Sequence, residues 1–343
     1  MDAAPRLRWR LADDDGGQGA LFEEEVERHV GRGEFRGMEF LHVRARRVVN
    51  EVPKASRMPF RWTINAYRGC SHACTYCFAR PTHEYLGMNA GDDFDRRIVV
   101  KVNAVERVRA ELAPARWAGD HIAMGTNTDP YQRCEGKYRL TQGIVGELSA
   151  SANPFSLLTK STLILRDLDL LAEAARRTDV RVNFSIGTLD EDVWRTTEPG
   201  TPHPRRRVEA VAKLNQAGVP CGVLVAPVLP GISDRREQLD AVVEACVGAG
   251  ALSITPLLLH LRPGVREHYL DWLTGARPDL VERYRILYPG SYASSKTQDD
   301  LSGLVGELVA RHGGRTASPR QSRSVSAAER GTAEATQLVL GLS

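Results

Sequence analysis

The chain has 343 residues, 42% of them apolar and 26% charged, which is enough for one large domain with a sizeable buried core. This composition excludes collagenous, wholly disordered and disulfide-stapled proteins. A formal charge of +3, from 46 basic and 43 acidic residues, is too small over this length to indicate nucleic-acid binding by itself. The sequence shows no apolar run typical of a membrane span or a signal peptide. It therefore predicts a soluble, cytoplasmic protein with no membrane partner.

The chain divides into three parts by its hydrophobic pattern. Residues 1–57 have poor periodicity and predict a partly ordered N-terminal extension, with a short helix at Leu21–His29 and a strand near Arg44–Glu51. Residues 58–313 alternate short β-rich runs with longer amphipathic stretches, which is typical of βα units on a parallel sheet. Residues 314–343 are rich in Ser, Ala, Arg and Thr and are predicted to be a disordered tail, because they carry too little apolar surface to offset the entropy of ordering.

Six strands are predicted in the central part, each bounded by Gly, Pro, Asn or Asp: Trp62–Tyr67, His121–Gly125, Phe155–Thr159, Arg181–Ile186, Pro220–Pro227 and Ala251–Leu258. Three helices have readable ends: Arg205–Ala217, Ser233–Ala249 and Thr297–His312. Asp234 and Glu237 have capping-box spacing at the start of the second helix. Six βα units are too few for a complete eight-stranded barrel. The predicted fold class is therefore α/β, a partial (β/α)6 TIM-like barrel with its chemistry at the carboxyl ends of the strands.

Three of the six cysteines lie within eight residues, directly after the first predicted strand, in the Cys-x3-Cys-x2-Cys loop formed by Cys70, Cys74 and Cys77. Clustered thiols in a long chain of a reducing compartment bind metal more often than they pair. A structural zinc site needs four closed ligands, and only His72 and His83 are near enough in sequence to supply the fourth. A cubane iron–sulfur cluster held by three thiolates keeps one iron open. An open position indicates catalysis rather than structural support.

The triplet, with an aromatic residue before its last cysteine, resembles the cluster loop of the radical S-adenosylmethionine (radical SAM) superfamily. The flanking segments 67–70, 77–80 and 126–132 resemble the branch related to spore photoproduct lyase, often labelled DNA-repair-photolyase-like, and within it the Rv2578c-type radical SAM proteins. The resemblance covers roughly residues 60–260 and leaves both termini unexplained.

This resemblance implies that Cys70, Cys74 and Cys77 hold a 4Fe-4S cluster whose fourth iron is chelated by S-adenosylmethionine (SAM). An electron from a donor such as flavodoxin or ferredoxin then cleaves SAM to methionine and a 5′-deoxyadenosyl radical, which abstracts hydrogen from the substrate. The protein supplies orientation, electrostatics and exclusion of water. Tyr76 is expected to lie beside the adenine, mainly through its backbone.

Polar side chains also follow the second predicted strand, where Gly125 permits a sharp turn. Thr126, Thr128 and Asp129 are candidate cofactor-binding residues there, and the alternative is a capped strand-to-helix turn. In the lyase a hydrogen-donor cysteine follows this strand, and Thr126 stands near that place. A hydroxyl cannot replace a thiol as a hydrogen-atom donor. Cys134 is the nearby thiol that we consider as a substitute donor, against the alternative of an incidental small residue.

Three further residues are candidates for the cofactor site, two of them carried over from the lyase family. The lyase family uses a lysine and a serine at similar strand ends to bind the methionine and ribose portions of SAM, which points to Lys160 and Ser185. The alternatives are a solvated lysine and a serine paired within the sheet. Arg207 begins a helix where cations oppose the helix dipole. It is a candidate for the methionine carboxylate or a substrate phosphate, against the alternative of a solvated basic face.

The sequence thus predicts a lyase-like radical SAM enzyme that acts on an unknown substrate, for which nucleic acid is one class. The missing donor cysteine counts against direct reversal of a thymine lesion. The alternative function is a non-catalytic iron–sulfur or zinc module that binds nucleic acid. Cys221 and Cys246 lie in apolar periodic contexts and are expected to be core residues.

Overall fold

The computed structural model describes residues 26–53, 58–115 and 117–317. The strands of these segments, in chain order, are β1 (Glu27–Val30), β2 (Glu39–Val43), β3 (Val49–Glu51), β4 (Trp62–Ile64), β5 (Tyr67–Arg68), β6 (Arg97–Lys101), β7 (Ile122–Met124), β8 (Phe155–Thr159), β9 (Val180–Ser185), β10 (Cys221–Val228) and β11 (Ile254–Leu258). The α-helices are α1 (Asp92–Arg96), α2 (Ala104–Leu112), α3 (Glu135–Tyr138), α4 (Leu140–Ala150), α5 (Leu168–Arg177), α6 (Glu191–Thr197), α7 (Pro204–Gln216), α8 (Arg236–Gly248), α9 (Val265–Ala276), α10 (Val281–Leu287) and α11 (Ser295–Arg311).

The larger sheet has seven strands in the order β11-β10-β9-β8-β7-β4-β3. The six strands from β4 to β11 in this order pair in parallel, while β3 pairs antiparallel with β4 at one end. Helices connect the parallel strands and pack against one another, α2 on α4, α4 on α5, α7 on α8 and α8 on α11. The sheet order ends on β3 and β11 rather than closing on itself. The predicted partial barrel of six βα units is confirmed.

A second sheet carries the chain into the cysteine loop. Its order is β1-β2-β6-β5, with β2 and β6 parallel and the other two pairs antiparallel. β5 is only two residues long, and it runs directly into Gly69 and Cys70. This sheet therefore fixes where the cysteine loop begins.

The predictions for the N-terminal part are corrected by this second sheet. The predicted helix at Leu21–His29 is wrong over its described end, because Glu27–Val30 forms strand β1; residues 21–25 lie outside the described residues. All four side chains of β1 are exposed, so no apolar helical face is buried there, and the backbone pairs with β2 instead. The strand expected near Arg44–Glu51 is shortened to β3, which joins the edge of the larger sheet.

The predicted strands of the barrel agree with the structure to within three residues at each end, with one exception. The run Trp62–Tyr67 is split into β4 and β5, which belong to different sheets. The three predicted helices are confirmed as α7, α8 and α11. The predicted capping box of α8 is wrong, because the helix begins at Arg236, three residues after Ser233, with Arg235 at its N-cap. The Asp234 carboxylate instead accepts a hydrogen bond from the Gly231 N–H (2.8 Å).

The chain remains paired slightly beyond the predicted start of the tail. The Ile254 N–H donates to the Arg315 carbonyl (2.9 Å), and Thr316 forms a parallel bridge with Ile254. Residues 318–343, most of the predicted tail, lie outside the described residues. Within the described segments, no helix combines the length and apolar character that crossing a membrane requires.

Candidate active site

The cysteine loop begins at a glycine that no other residue can replace without strain. Gly69 has a φ of +80°, and a Cβ there would lie 2.9 Å from both the Phe94 carbonyl oxygen and the His83 ring. The next residue, Cys70, donates its N–H to the same Phe94 oxygen (2.9 Å). Cys70 and Cys74 are buried, Cys77 is partly buried, and all three are free thiols. The loop therefore carries three free thiols within eight residues.

A buried arginine, Arg80, stabilises the backbone of this turn. Arg80 is 1% exposed, and its Nε and Nη2 atoms donate to the Cys74 carbonyl oxygen at 3.1 and 2.9 Å. The same guanidinium donates to the Ala90 carbonyl (2.9 Å) and to both oxygens of Asp95 (2.9 and 3.0 Å). Because a guanidinium supplies five donors in a rigid plane, one residue can fix three segments. Sequence alone predicts no role for Arg80 beyond its place in the flanking segment 77–80.

The three thiols lie in an environment that favours their protonated form. Burial raises the pKa of all three, to about 12 for Cys74. The Lys160 ammonium opposes this rise at Cys74 and Cys77. Metal ligation requires thiolates, so binding is coupled to proton release, and the adjacent positive charge stabilises the ionised form.

Among the described residues, neither candidate histidine joins the cysteines in a group of three or more ligands whose atoms all lie within 4.8 Å of one another. His72 directs Nδ1 toward the Asp129 carboxylate (3.3 Å), and the His83 Nε2 lies 3.0 Å from the Arg97 carbonyl oxygen. Burial lowers the pKa of His83 to about 4. Three thiols fit a cubane cluster with one open iron better than a closed four-ligand zinc site.

The polar motif after β7 braces the cysteine loop. The Thr128 hydroxyl and the Gln132 amide both donate to the Gly69 carbonyl oxygen, at 2.7 and 3.0 Å. The Gln132 side-chain oxygen accepts from the Ser71 N–H (3.0 Å). Thr128 and Gln132 are both buried. Sequence predicts Thr128 as a cofactor-binding residue. It predicts no role for Gln132, which ends the segment 126–132.

Asp129 connects this motif to the next strand. Its carboxylate accepts hydrogen bonds from the Thr159 hydroxyl and the Lys160 N–H, both at 2.7 Å, and lies beside His72 on the cysteine loop. Burial acts to raise the pKa of Asp129, but the His72 ring and these donors hold it below its ordinary value. An ionised Asp129 therefore joins β8 to the cysteine loop.

Lys160, Ser185 and Tyr76 lie together at the strand ends. The Lys160 Nζ donates to the Ser185 hydroxyl (2.8 Å) and lies 5.5 Å from the centre of the Tyr76 ring. Ser185 in turn donates to the Ala226 carbonyl oxygen (2.6 Å) on β10. Three residues predicted separately thus belong to one contact group.

Tyr76 contacts a buried ion pair, Glu198–Arg207, that is not predicted from the sequence. The Tyr76 hydroxyl donates to the Glu198 carboxylate, and the Arg207 guanidinium lies 2.5 Å from the same carboxylate. Arg207 also donates to the Ser185 carbonyl (3.1 Å) and the Thr201 hydroxyl (2.5 Å). Glu198 and Arg207 are almost fully buried. Burial acts to raise the pKa of Glu198, but Arg207 and Lys160 hold it below its ordinary value.

The segment that carries Glu198 also docks on the cysteine loop through its backbone. The Thr75 N–H donates to the Thr197 carbonyl, and the Gly200 N–H donates to the His72 carbonyl, each at 3.0 Å. A Cβ at Gly200 would lie 2.1 Å from the Ser71 carbonyl oxygen, so only glycine permits this approach. The Glu-Pro-Gly run of the sequence is therefore a structural part of the site.

Two of the predicted site residues, Thr126 and Cys134, take no part in the hydrogen bonds described above. Thr126 is half-buried just after β7. Cys134 is fully buried in the hydrophobic core at the start of α3, where burial and the neighbouring Glu135 raise its pKa. Its proximity also contributes to the raised pKa of Tyr67 and Tyr138. The other predicted residues, from the cysteine loop to Arg207, are brought together.

Comparison with known proteins identifies the class to which this site belongs. The family model of the radical SAM superfamily matches residues 64–243. The chain belongs to this superfamily and is a radical SAM enzyme. The match extends from β4 to α8 and includes the three cysteines and the Glu198–Arg207 pair.

Individual relatives agree with this assignment. Protein Rv2578c of Mycobacterium tuberculosis (strain ATCC 25618 / H37Rv) is 46% identical over 300 residues, which cover 87% of this chain and 88% of that protein. The radical SAM Nalpha-GlyT isomerase of Pseudomonas phage M6 is 25% identical over 237 residues, covering 63% of this chain and 47% of the isomerase. Among solved structures, spore photoproduct lyase complexed with dinucleoside spore photoproduct has a TM-score of 0.57 at 18% identity, covering 80% of this chain and 79% of the lyase. The last similarity shows a shared fold.

Proposed function

We propose that this enzyme binds a 4Fe-4S cluster through Cys70, Cys74 and Cys77 and uses SAM to abstract a hydrogen atom from a substrate other than spore photoproduct. When bound, the cluster and SAM supply reductive cleavage of the sulfonium C–S bond, with an electron from a carrier such as flavodoxin or ferredoxin. The observation that carries this proposal is the convergence of three free thiols with a buried, hydrogen-bonded polar network on one loop.

In this proposal, the residues around the loop divide into those that contact SAM and those that hold the contacting residues in place. Lys160 and Ser185 present an ammonium and a hydroxyl at adjacent strand ends, which suits the polar methionine and ribose portions of SAM. Tyr76 presents its backbone to the adenine, because its side chain is buried and bonded to Glu198. Asp129 fixes the backbone of Lys160 and the His72 side chain.

Arg207 takes a different role in the proposal from the one expected from sequence. Its guanidinium is fully buried and bonded to Glu198, Thr201 and the Ser185 carbonyl. By contrast, Arg205 and Arg206 are exposed on the same helix turn. We therefore treat Arg207 as a positioning residue that neutralises Glu198, rather than as a ligand of the methionine carboxylate.

We propose that the enzyme does not directly reverse a thymine lesion with a protein thiol as hydrogen donor. Thr126 offers a hydroxyl at the strand end, and Cys134, the nearby thiol in sequence, is buried in the core beside Tyr67. The relatives also carry names for different radical reactions, an isomerase and a lyase. Fold and cofactor do not fix the substrate. We propose an anionic substrate, of which nucleic acid is one class, because the exposed Arg205 and Arg206 would attract negative charge.

The cluster assignment is tested by metal content after anaerobic reconstitution. We expect about four irons and four sulfides per chain, because three thiolates suit a cubane cluster. Cys70→Ala, Cys74→Ala and Cys77→Ala should each lose the cluster. Cys221→Ala, which removes a buried thiol of β10 far from the loop in sequence, is the matched control and should retain it. Retention of iron in any loop variant, or one zinc per chain in its place, would overturn the assignment in favour of a non-catalytic module.

The substrate assignment is tested separately with a dinucleoside spore photoproduct and the reduced enzyme. We expect cleavage of SAM without release of repaired dinucleotide. Efficient repair that persists in Cys134→Ala would contradict the proposal. Repair that is lost in that variant would instead identify Cys134 as the hydrogen donor and overturn its assignment to the core.

A further inference from the structure

Three potential metal ligands lie on one face of the β1–β2 pair, outside the cysteine site. Glu27 and His29 are two residues apart on β1 and so project to the same side, while His42 of β2 stands directly opposite Glu27 in the register. In the part of the chain that the structure describes, they form the single group of three His, Cys, Asp or Glu side chains whose ligand atoms all lie within 4.8 Å of one another.

The spacing of this group fits a small divalent ion. Two ligands that are each about 2.1 Å from a tetrahedral zinc ion are separated by about 3.4 Å. The Glu27 Oε2 and the His29 Nε2 lie 3.4 Å apart, and one ligand atom of each of the three residues lies within 4.8 Å of the other two. The three side chains therefore need little movement to share one ion.

A neighbouring tyrosine orients the third ligand. The Tyr138 hydroxyl lies 2.7 Å from the His42 Nε2, and the two rings meet edge to face with centres 5.3 Å apart. Ligating histidines are commonly held by a hydrogen bond of this kind. Glu27 and His29 are exposed, with 76% and 47% of their side-chain surfaces accessible, so an ion can reach them from solvent.

We propose that Glu27, His29 and His42 bind one Zn²⁺, with water at the fourth position, and that this ion fastens strand β1 to β2. Two imidazoles and one carboxylate are ligands that zinc prefers, and a site with three protein ligands keeps one position open. The site is distinct from the cysteine loop. β1 and β5 stand at opposite ends of the second sheet, three strand spacings or about 14 Å apart, and β5 leads into Cys70.

The test measures zinc and iron together in the anaerobically reconstituted enzyme, after removal of loosely bound metal and equilibrium dialysis against Zn²⁺. Elemental analysis should find one zinc per chain beside an unchanged iron content. His29→Ala and His42→Gln should each weaken zinc binding by about tenfold or more, because each removes one of three ligands. His312→Ala is the matched control. It removes another surface histidine beside a carboxylate, Asp240 (2.7 Å), and should leave zinc binding unchanged.

A second measurement, thermal unfolding, distinguishes loss of zinc binding from misfolding of a variant. Zn²⁺ should raise the thermal unfolding temperature of the wild type and of His312→Ala but not of His29→Ala, because an ion that binds only the folded state stabilises it. Equal zinc affinity in the wild type and the His29 and His42 variants would overturn the proposal, as would zinc that disappears only in Cys70→Ala. Failure of the cluster assignment would appear separately, in the iron count.

Discussion

The buried pair Glu198–Arg207 permits a sharp test of how the cysteine loop is held. Glu198→Gln keeps the size of the side chain but removes the charge that faces Arg207, whose guanidinium is fully buried. Loss of one partner of a buried ion pair costs about 3–5 kcal/mol, because the remaining charge stays desolvated. With an unfolding entropy of about 2.1 cal/mol/K per residue, that cost lowers the unfolding temperature of a chain this size by roughly 4–7 °C.

The assay is anaerobic thermal unfolding followed by circular dichroism, with iron content measured on the same samples. Glu191→Gln is the matched control, because Glu191 pairs with Arg195 on the exposed surface of α6. A surface pair of this kind contributes about 0–1 kcal/mol, so the control should unfold within about 1–2 °C of the wild type. Adding Arg207→Met to Glu198→Gln should restore part of the lost stability, because no unpaired charge then remains buried.

The reasoning would be refuted by equal unfolding temperatures for Glu198→Gln and Glu191→Gln. It would also be refuted if the double variant were no more stable than Glu198→Gln alone, since the penalty would then not arise from an uncompensated Arg207. We further expect Glu198→Gln to retain less iron than the control, because the Glu198 carboxylate accepts the hydrogen bond from Tyr76, which lies within the cysteine loop.

Three other predictions concern the same loop and the core beneath it. Gly200→Ala should lower iron content severely, because its Cβ would lie 2.1 Å from the Ser71 backbone oxygen; full cluster loading would contradict the close approach. Arg80→Lys should weaken cluster retention despite its conserved charge, because an ammonium cannot reproduce the paired donation to the Cys74 carbonyl, and unchanged iron release under a chelator would count against this. Lys101→Met should raise the free energy of unfolding at pH 7 by about 2–4 kcal/mol, because burial lowers the pKa of Lys101 from 10.5 to about 7. The Lys101 amine holds its proton more tightly in the unfolded chain than in the folded one, so the free energy of unfolding of the wild type should rise from pH 7 to 10.5. The extra stability of Lys101→Met should therefore disappear near pH 10.5. A difference in stability that does not depend on pH would contradict the lowered pKa of Lys101.

Local patterns in the sequence predict the barrel well, because its strands and helices are decided by short-range signals. Short runs of buried apolar residues bounded by Gly, Pro, Asn or Asp mark β8 to β10, and the apolar stripe of α8 is readable at helical spacing. The spacing of the three cysteines likewise predicts, without knowledge of the fold, that their thiols share one loop.

The second sheet and the buried network could not be predicted in the same way, because they depend on contacts between distant segments. β2 pairs with β6 across more than fifty residues, and β1 has no apolar face that would reveal it as a strand. Glu198 looks like an ordinary acidic residue in sequence. Its role becomes visible only when Tyr76 and Arg207 are brought to it.

Formation of 5′-deoxyadenosine tests the central claim most directly. The anaerobically reconstituted enzyme should be incubated with SAM and dithionite, and the nucleoside and methionine measured by mass spectrometry. We predict that both products form in equal amounts in the wild type, because reductive cleavage of one C–S bond yields one of each. Neither should form in Cys74→Ala or without dithionite. Absence of 5′-deoxyadenosine from a wild-type enzyme that carries about four irons, or its formation in Cys74→Ala, would contradict the account.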